Sequence, residues 1–145
     1  MFSKACEYSI KAVIFLATRP ADNRRARLPE IAQAIESPEA FTAKILQELA
    51  RKKVLASVKG PKGGFELNGK ADEITLYQIV EAIDGDSLFN GCALGFKKCS
   101  EVHPCPVHNK FKAIRDHLTG VLLTTSIEES AGSVDLGESF LVSLK

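Results

Sequence analysis

The sequence predicts a mainly α-helical protein with one small β-hairpin: a winged helix-turn-helix domain followed by a long C-terminal helix. Three observations lead to this fold class. Residues 29–53 contain two helical segments separated by a tight break, as in a helix-turn-helix. The segment VLASVKGPKGGFEL then has the pattern of a strand, a glycine-rich turn and a second strand. From Val107 onward, apolar residues recur with helical spacing for about four turns.

The first helix is predicted to begin after Ser3, whose hydroxyl is a suitable N-cap, and to end near Arg19, before Pro20. Its apolar residues cover a wide face, which indicates a buried helix. The segment ADNRRARLP follows as a polar, basic connector (residues 21–29).

The helix-turn-helix itself is marked by two start signals. Pro29 opens the first helix, since proline is favoured in a first helical turn. The triplet Ser37-Pro38-Glu39 predicts the start of the second, with a capping hydroxyl, a proline and an acid near the positive helix end. That second helix ends in the basic cluster Arg51-Lys52-Lys53, where cations suit the helix C-terminus.

Local signals also delimit the elements after the hairpin. The pair Thr75 and Gln78 forms a capping box that opens the helix LYQIVEAID, and Gly85 ends it. The pair Ser126 and Glu129 predicts a short further helix, and we expect a mobile tail after Ala131. The predicted organisation is a winged helix-turn-helix domain (1–70), a linker helix (71–90), a cysteine loop (91–108), a dimerisation helix region (109–131) and a tail (132–145).

Composition limits the classes of protein that the chain can be. With 145 residues, 45% hydrophobic and 26% charged, it has the profile of one globular domain. No apolar run approaches the roughly 18 residues that a membrane helix needs, and the N-terminal segment lacks the pattern of a secretory signal. We therefore expect a cytoplasmic protein, in which thiols stay reduced.

Charge is distributed unevenly along the chain. Residues 1–70 contain 13 Lys and Arg against 7 Asp and Glu, whereas residues 71–145 contain 6 against 11. A basic N-terminal half that carries a helix-turn-helix favours a polyanionic partner, namely double-stranded DNA. The chain contains no recognisable acid–base motif, nucleophile elbow or phosphate loop, and we therefore expect no enzymatic activity.

Three of the four cysteines, Cys92, Cys99 and Cys105, lie in the cysteine loop with His108 behind them, in the spacing C-x6-C-x5-C-x2-H. Prolines and glycines exclude a regular helix or central strand here. Thiolates are soft metal ligands, so the loop is a candidate inorganic centre. A Cys3His zinc site is an alternative, although the tight C-x2–4-C spacing of zinc modules is absent. Thiol oxidation without a metal, promoted by Lys97 and Lys98 beside Cys99, is the other alternative.

The C-terminal helical pattern, Phe111, Ile114, Leu118, Val121 and Leu122, forms an apolar stripe. A small domain with one such helix can bury the stripe in a symmetric homodimer, which would also supply two half-site readers for a pseudo-palindromic operator. Cys6, on the first helix, is expected to be a small buried residue.

Four segments together resemble the IscR/NsrR-type regulators, the Rrf-two superfamily of bacterial transcription factors. They are KACEYSIKAVIFLA, SPEAFTAKILQELARKKVLASVKGPKGGFEL, ITLYQIVEAIDG and the three-cysteine loop. The resemblance implies a homodimeric repressor or activator whose DNA affinity responds to a bound iron–sulfur cluster, 2Fe-2S or 4Fe-4S. Redox state, nitric oxide and iron or cluster status are the signals that it implies. Some relatives lack the cysteines and bind no cluster.

The resemblance also implies a variable fourth cluster ligand, either a histidine after the third cysteine or an acidic or histidine residue of the first helix. His108 matches the first description and Glu7 the second, in its own or the other subunit; His103 is a third candidate. The first gap of six residues departs from the five associated with IscR-like members, which weakens any transfer of cluster type.

Recognition of DNA is predicted to divide between two sets of side chains. Phosphates would be contacted by Arg24, Arg25, Arg27, Arg51, Lys52 and Lys53. Bases would be read from the exposed start of the recognition helix, by Glu39, Ala40, Thr42, Ala43 and Lys44. Lys59 and Lys62 on the wing suit a narrow minor groove or its flanking phosphates, whereas Phe41 is expected in the core.

Overall fold

The computed structural model describes residues 1–143. Its elements, in chain order, are α1 (Lys4–Ala17), α2 (Leu28–Ala34), α3 (Glu39–Arg51), β1 (Leu55–Val58), β2 (Gly64–Leu67), α4 (Leu76–Asp84), α5 (Ser87–Asn90), α6 (His108–Thr124) and α7 (Ile127–Asp135). The predicted class, mainly helical with a small hairpin wing, is confirmed. Within residues 1–143, no helix is both long and apolar enough to cross a membrane.

Most of the predicted helix starts are confirmed by their hydrogen bonds. The Ser3 hydroxyl accepts from the Cys6 amide at 3.0 Å, and Thr75 and Gln78 form both bonds of the capping box. The Ser126 hydroxyl accepts from the Glu129 amide at 3.2 Å. These signals could be predicted because each depends only on residues three positions apart.

The predicted start of α3 was wrong in one respect. Pro38 occupies the N-cap position and Glu39 the first helical position, and no side chain caps the helix. The Ser37 hydroxyl instead forms a hydrogen bond with the hydroxyl of Thr42. Ser37 therefore contributes to packing between the start of α3 and the break that precedes it.

The DNA-binding half encloses the main core. Helices α1, α2 and α3 pack together against the hairpin, and they bury Val13, Ile31, Leu46, Leu49 and Leu55. The hairpin is antiparallel, with Leu55 opposite Leu67 and Val58 opposite Gly64. The connector adds a short third segment to it, because Ala26 forms a β-bridge with Phe65.

A second, smaller core joins the two halves of the chain. Cys6 of α1, Val80 of α4, Phe89 of α5 and Leu122 of α6 are buried together. Helix α4 contacts α1, α3 and α6, so it lies between the DNA-binding half and the C-terminal helix. Helices α1, α4, α5 and α6 therefore share one packed core.

The C-terminal region contains the predicted further helix after Ser126 but differs from the prediction of a mobile tail after Ala131. Helix α6 ends at Thr124, where Thr125 and Ser126 are extended and Ser126 bridges Thr75. Helix α7 then packs on α1 through the fully buried Ile127, and it stays helical four residues beyond Ala131, to Asp135. The last two residues of the predicted tail, 144–145, lie outside the described residues.

Candidate DNA-binding surface and cysteine loop

The start of α3 exposes most of the predicted base-reading residues. Glu39, Ala40 and Lys44 are exposed, and Ala43 is half-buried. Phe41 is half-buried and packs edge-on against the Tyr8 ring, with 5.8 Å between ring centroids, as expected for a core residue.

Thr42 is the exception, and its assignment as a base-reading residue was wrong. Its side chain is fully buried, and its Oγ1 donates to the Pro38 carbonyl at 2.7 Å. On a helix with 3.6 residues per turn, Thr42 shares a face with Ile45, Leu46 and Leu49. That spacing was present in the sequence, and it places Thr42 in the core.

The predicted phosphate contacts fall into two groups. Arg51 pairs with Glu48 on its own helix, with its Nε donating to Oε2 at 3.0 Å, and this hydrogen bond lowers the pKa of the Glu48 carboxyl. Arg25 and Arg27 contact the wing. The other basic residues predicted to contact DNA are exposed, and within residues 1–143 they form no ion pair: Arg24, Lys44, Lys52, Lys53, Lys59 and Lys62.

The cysteine loop is held between α5 and α6, and it brings the predicted ligands together in two pairs. Cys99 Sγ lies 3.3 Å from His108 Nδ1. Cys105 lies near enough to Cys92 for its side chain to help lower the pKa of the Cys92 thiol. All four cysteines of the chain are free thiols, as expected for a metal or redox site rather than a disulfide framework.

The backbone around Cys92 favours an anionic sulfur. Desolvation by the surrounding protein raises the pKa of Cys92, but the backbone at Phe96, Leu94 and Gly95 and the Cys105 side chain favour the thiolate, and the net effect lowers the pKa of Cys92. Gly95 has φ of +78°, a conformation that glycine adopts without strain. Amide groups that converge on a thiolate are a feature of ligand cysteines in metal and cluster sites.

His108 is the first residue of α6 and is only 7% exposed. Its Nδ1 faces Cys99, while its Nε2 is buried without a hydrogen-bond partner. Since buried polar atoms almost always find a partner, an unpartnered imidazole nitrogen fits a missing ligand contact. The soft donor set therefore fits a metal or cluster, although among residues 1–143 no three His, Cys, Asp or Glu side chains meet as one metal-holding group.

The other two candidate fourth ligands are placed differently. Glu7 on α1 is half-buried and pairs with Lys4, with 3.3 Å between Nζ and Oε2. His103 is exposed. Cys6 is fully buried, as expected, and burial, with the nearby Asp84 carboxylate, raises the pKa of its thiol to about 12.

Arg115 is a site residue that sequence reasoning missed. Its Nη1 donates to the Gly91 carbonyl at 2.6 Å and lies 3.4 Å from Cys99 Sγ. Lys97 and Lys98, expected to act on Cys99, are exposed. The available signal was spacing: Arg115 follows His108 by seven residues, two helical turns, and therefore shares its face of α6.

Comparison with known proteins identifies the family. The family model described as Rrf2, iron-dependent transcriptional regulator, matches residues 2–131. The chain belongs to the Rrf2 family. An Aquifex aeolicus protein named as an HTH-type transcriptional regulator is 34% identical over 131 residues, which cover 89% of this chain and 90% of that protein. IscR of Photorhabdus laumondii is 25% identical over 122 residues, covering 84% of this chain and 73% of IscR.

Solved structures agree on the fold. CymR of Bacillus subtilis, described as its global cysteine regulator, superposes with a TM-score of 0.75 at 23% identity, covering 91% of this chain and 96% of CymR. As an Rrf2 member, the chain is a DNA-binding transcriptional regulator, and its relatives are regulators rather than enzymes. The recognition of an IscR/NsrR-type winged-helix regulator from sequence is thus confirmed.

Proposed function

We propose that this Rrf2 regulator is a homodimer whose affinity for operator DNA depends on an iron–sulfur cluster held by Cys92, Cys99 and Cys105. The observation that carries the proposal is that the cysteine loop holds three free thiols and leads into α6 at His108, whose buried Nε2 has no hydrogen-bond partner. The family description as iron-dependent supports it. When bound, the cluster would supply a redox-active iron centre with one ligand other than cysteine.

His108 is our choice of fourth ligand. Its buried Nε2 has no partner, and its Nδ1 already lies within the loop, at 3.3 Å from Cys99. Glu7 would first have to release Lys4, and it remains the alternative, from its own or the other protomer. Loss of an exchangeable histidine ligand would leave the loop held only by thiolates.

The loop is connected to the DNA-binding half through α4 and α5. Helix α5 leads directly into the loop, and Phe89 of α5 stacks on Tyr77 of α4 with 4.3 Å between ring centroids. At the end of α4, the Asp84 carboxylate accepts from the Ser3 amide at 3.0 Å, at the start of α1. A rearranged loop would therefore shift α1 and the helices packed on it, which is the coupling that a regulatory switch needs.

The proposed dimer uses the exposed apolar face of α6. Phe111, Ile114 and Val121 recur at helical spacing on this face and are 48%, 64% and 44% exposed, respectively. Such large apolar side chains on one helix are typical of an interaction face. The groove beside Phe111 and Ile114 is also lined by Cys92, so a second protomer seated there would contact the cysteine loop.

The experiment that tests the proposal is anaerobic purification, with iron, acid-labile sulfide and visible absorption measured on wild type and on C92A, C99A and C105A. We expect iron and sulfide in the wild type and their loss in each loop variant. C6A is the matched control, because this cysteine is buried outside the loop, and it should retain both. A colourless wild-type protein with stoichiometric zinc would contradict the proposal.

A second candidate function is a cluster-free regulator that responds to thiol oxidation. The proximity of Cys99 to His108 and the lowered pKa of Cys92 favour it, since the thiolate is the reactive form. The structural neighbour CymR is described as a cysteine regulator. Iron and sulfide content after anaerobic purification separates the two candidates, because only the first predicts both.

A further inference from the structure

We propose that Arg25 and Arg27 are positioning residues, which hold the wing turn (residues 59–63) in the orientation that DNA binding requires, instead of contacting phosphates themselves. The inference concerns the DNA-binding activity of the family and is independent of the cluster. It rests on three features of the connector and the wing: a β-bridge, a set of side-chain hydrogen bonds and a close backbone approach.

The β-bridge fixes where the two arginines lie. The Ala26 amide donates to the Phe65 carbonyl at 3.0 Å, and the Phe65 amide donates to the Ala26 carbonyl at 2.8 Å. Ala26 is 2% exposed, so its side chain faces the core. Because side chains alternate along extended backbone, Arg25 and Arg27 both lie on the opposite, outer side, beside the wing turn.

The arginines donate hydrogen bonds to three successive carbonyls of that turn. Arg25 Nη1 donates to the Lys62 carbonyl at 3.3 Å, and its Nε lies 3.4 Å from Glu66 Oε2. Arg27 Nη2 donates to the Pro61 carbonyl, and it lies 3.5 Å from the Gly60 carbonyl. Only the planar, multi-donor guanidinium can serve several backbone acceptors in this way.

The backbone of the wing is built to accept the connector. Gly64 has φ of +143°, and a Cβ there would lie 2.6 Å from the Ala26 carbonyl oxygen. A Cβ on Gly63 would lie 2.2 Å from the Val58 carbonyl oxygen. Neither position has room for a side chain: Gly64 allows the wing to approach the connector closely, and Gly63 allows the tight turn within the hairpin itself.

These contacts give the basic residues of the connector and the wing different roles. The guanidinium donors that are bonded to the turn carbonyls are not available to phosphates, and they offset the negative partial charge of those carbonyls. Lys59 and Lys62 are exposed and remain available to DNA. Arg24, in the same connector, is exposed and forms no ion pair within the described chain. We expect it to contact a phosphate, and it is therefore the residue with which Arg25 and Arg27 are compared.

The test uses the full-length protein and a DNA duplex that the wild type has selected from a random-sequence library. Affinity is measured across a salt series for wild type, R25K, R27K, R27Q and R24Q, and R27Q should keep the wild-type slope because Arg27 contacts no phosphate. Lysine keeps the positive charge but lacks the fork of donors. We expect R25K and R27K to bind roughly tenfold more weakly with the salt slope of the wild type, and R24Q to reduce the slope by about one.

A second measurement does not involve DNA. Hydrogen exchange of the Gly63 amide, which donates to the Gly60 carbonyl at 2.9 Å, should be faster in free R27K than in the wild type. Wild-type exchange in R27K would overturn the proposal. So would wild-type DNA affinity in R25K and R27K, or an R27Q salt slope reduced as in R24Q, which would assign Arg27 to a phosphate.

Discussion

The burial of Thr42 gives a prediction that separates a structural role from base reading. The change is T42V, which keeps the shape of the side chain and removes the hydroxyl that donates to the Pro38 carbonyl at 2.7 Å and pairs with Ser37. The carbonyl keeps its bond from the Thr42 amide, at 2.9 Å. We therefore expect T42V to lower the free energy of unfolding by about 1–2 kcal/mol, near the low end of the range for a buried unsatisfied group.

The assay is chemical and thermal unfolding of the full-length protein. For a chain of this size, the expected loss lowers Tm by roughly 3–8 °C. The matched control is T124V, since Thr124 makes the same type of bond, to the Gly120 carbonyl at 2.8 Å, on an exposed surface; its effect should stay below about 0.5 kcal/mol. A T42V protein with wild-type stability and altered base preference would refute the assignment of Thr42 to the core.

Three further predictions concern the wing, the proposed dimer and the thiols. G64A should destabilise the protein by about 1–3 kcal/mol in urea unfolding because of its backbone conformation and the Ala26 contact, whereas G120A, which meets open space, should not. I114E should convert the proposed dimer to monomer in sedimentation experiments, and L123E, on the opposite side of the same helix, should not; a dimeric I114E would exclude this face. In anaerobic, metal-free protein at neutral pH, iodoacetamide should label Cys6 only after unfolding, because burial raises the pKa of its thiol to about 12 and blocks access; mass mapping that finds native Cys6 labelled would disprove this.

The elements that sequence reasoning predicted well are those set by short-range signals. The cap at Ser3, the capping box at Thr75 and the glycine-rich turn each depend on a few neighbouring residues, and the structure contains all three. The loop with its cysteines and His108 was equally apparent, because it depends on composition within one segment.

The errors and omissions arose where a residue's role is set by tertiary contacts. Ser37 has the chemistry of a cap, but its hydroxyl is committed to the buried Thr42. The contacts of Arg25 and Arg27 with the wing were not foreseen, because their hydrogen-bond partners lie more than 30 positions along the chain. Arg115 reaches the Gly91 carbonyl, 24 positions away. Pairings between such distant residues cannot be predicted from charge or from local sequence pattern.

The proposed switch requires DNA affinity to depend on whether the cysteine loop holds its cluster. Its most direct test is anaerobic fluorescence anisotropy on a labelled, wild-type-selected duplex, comparing reconstituted protein with the same preparation after chelation of its metal. We expect the two wild-type forms to differ in affinity for the duplex by at least roughly fivefold, the lower end of typical coupling between two sites. The two C99A forms should bind with equal affinity. Equal affinity of the two wild-type forms would contradict it.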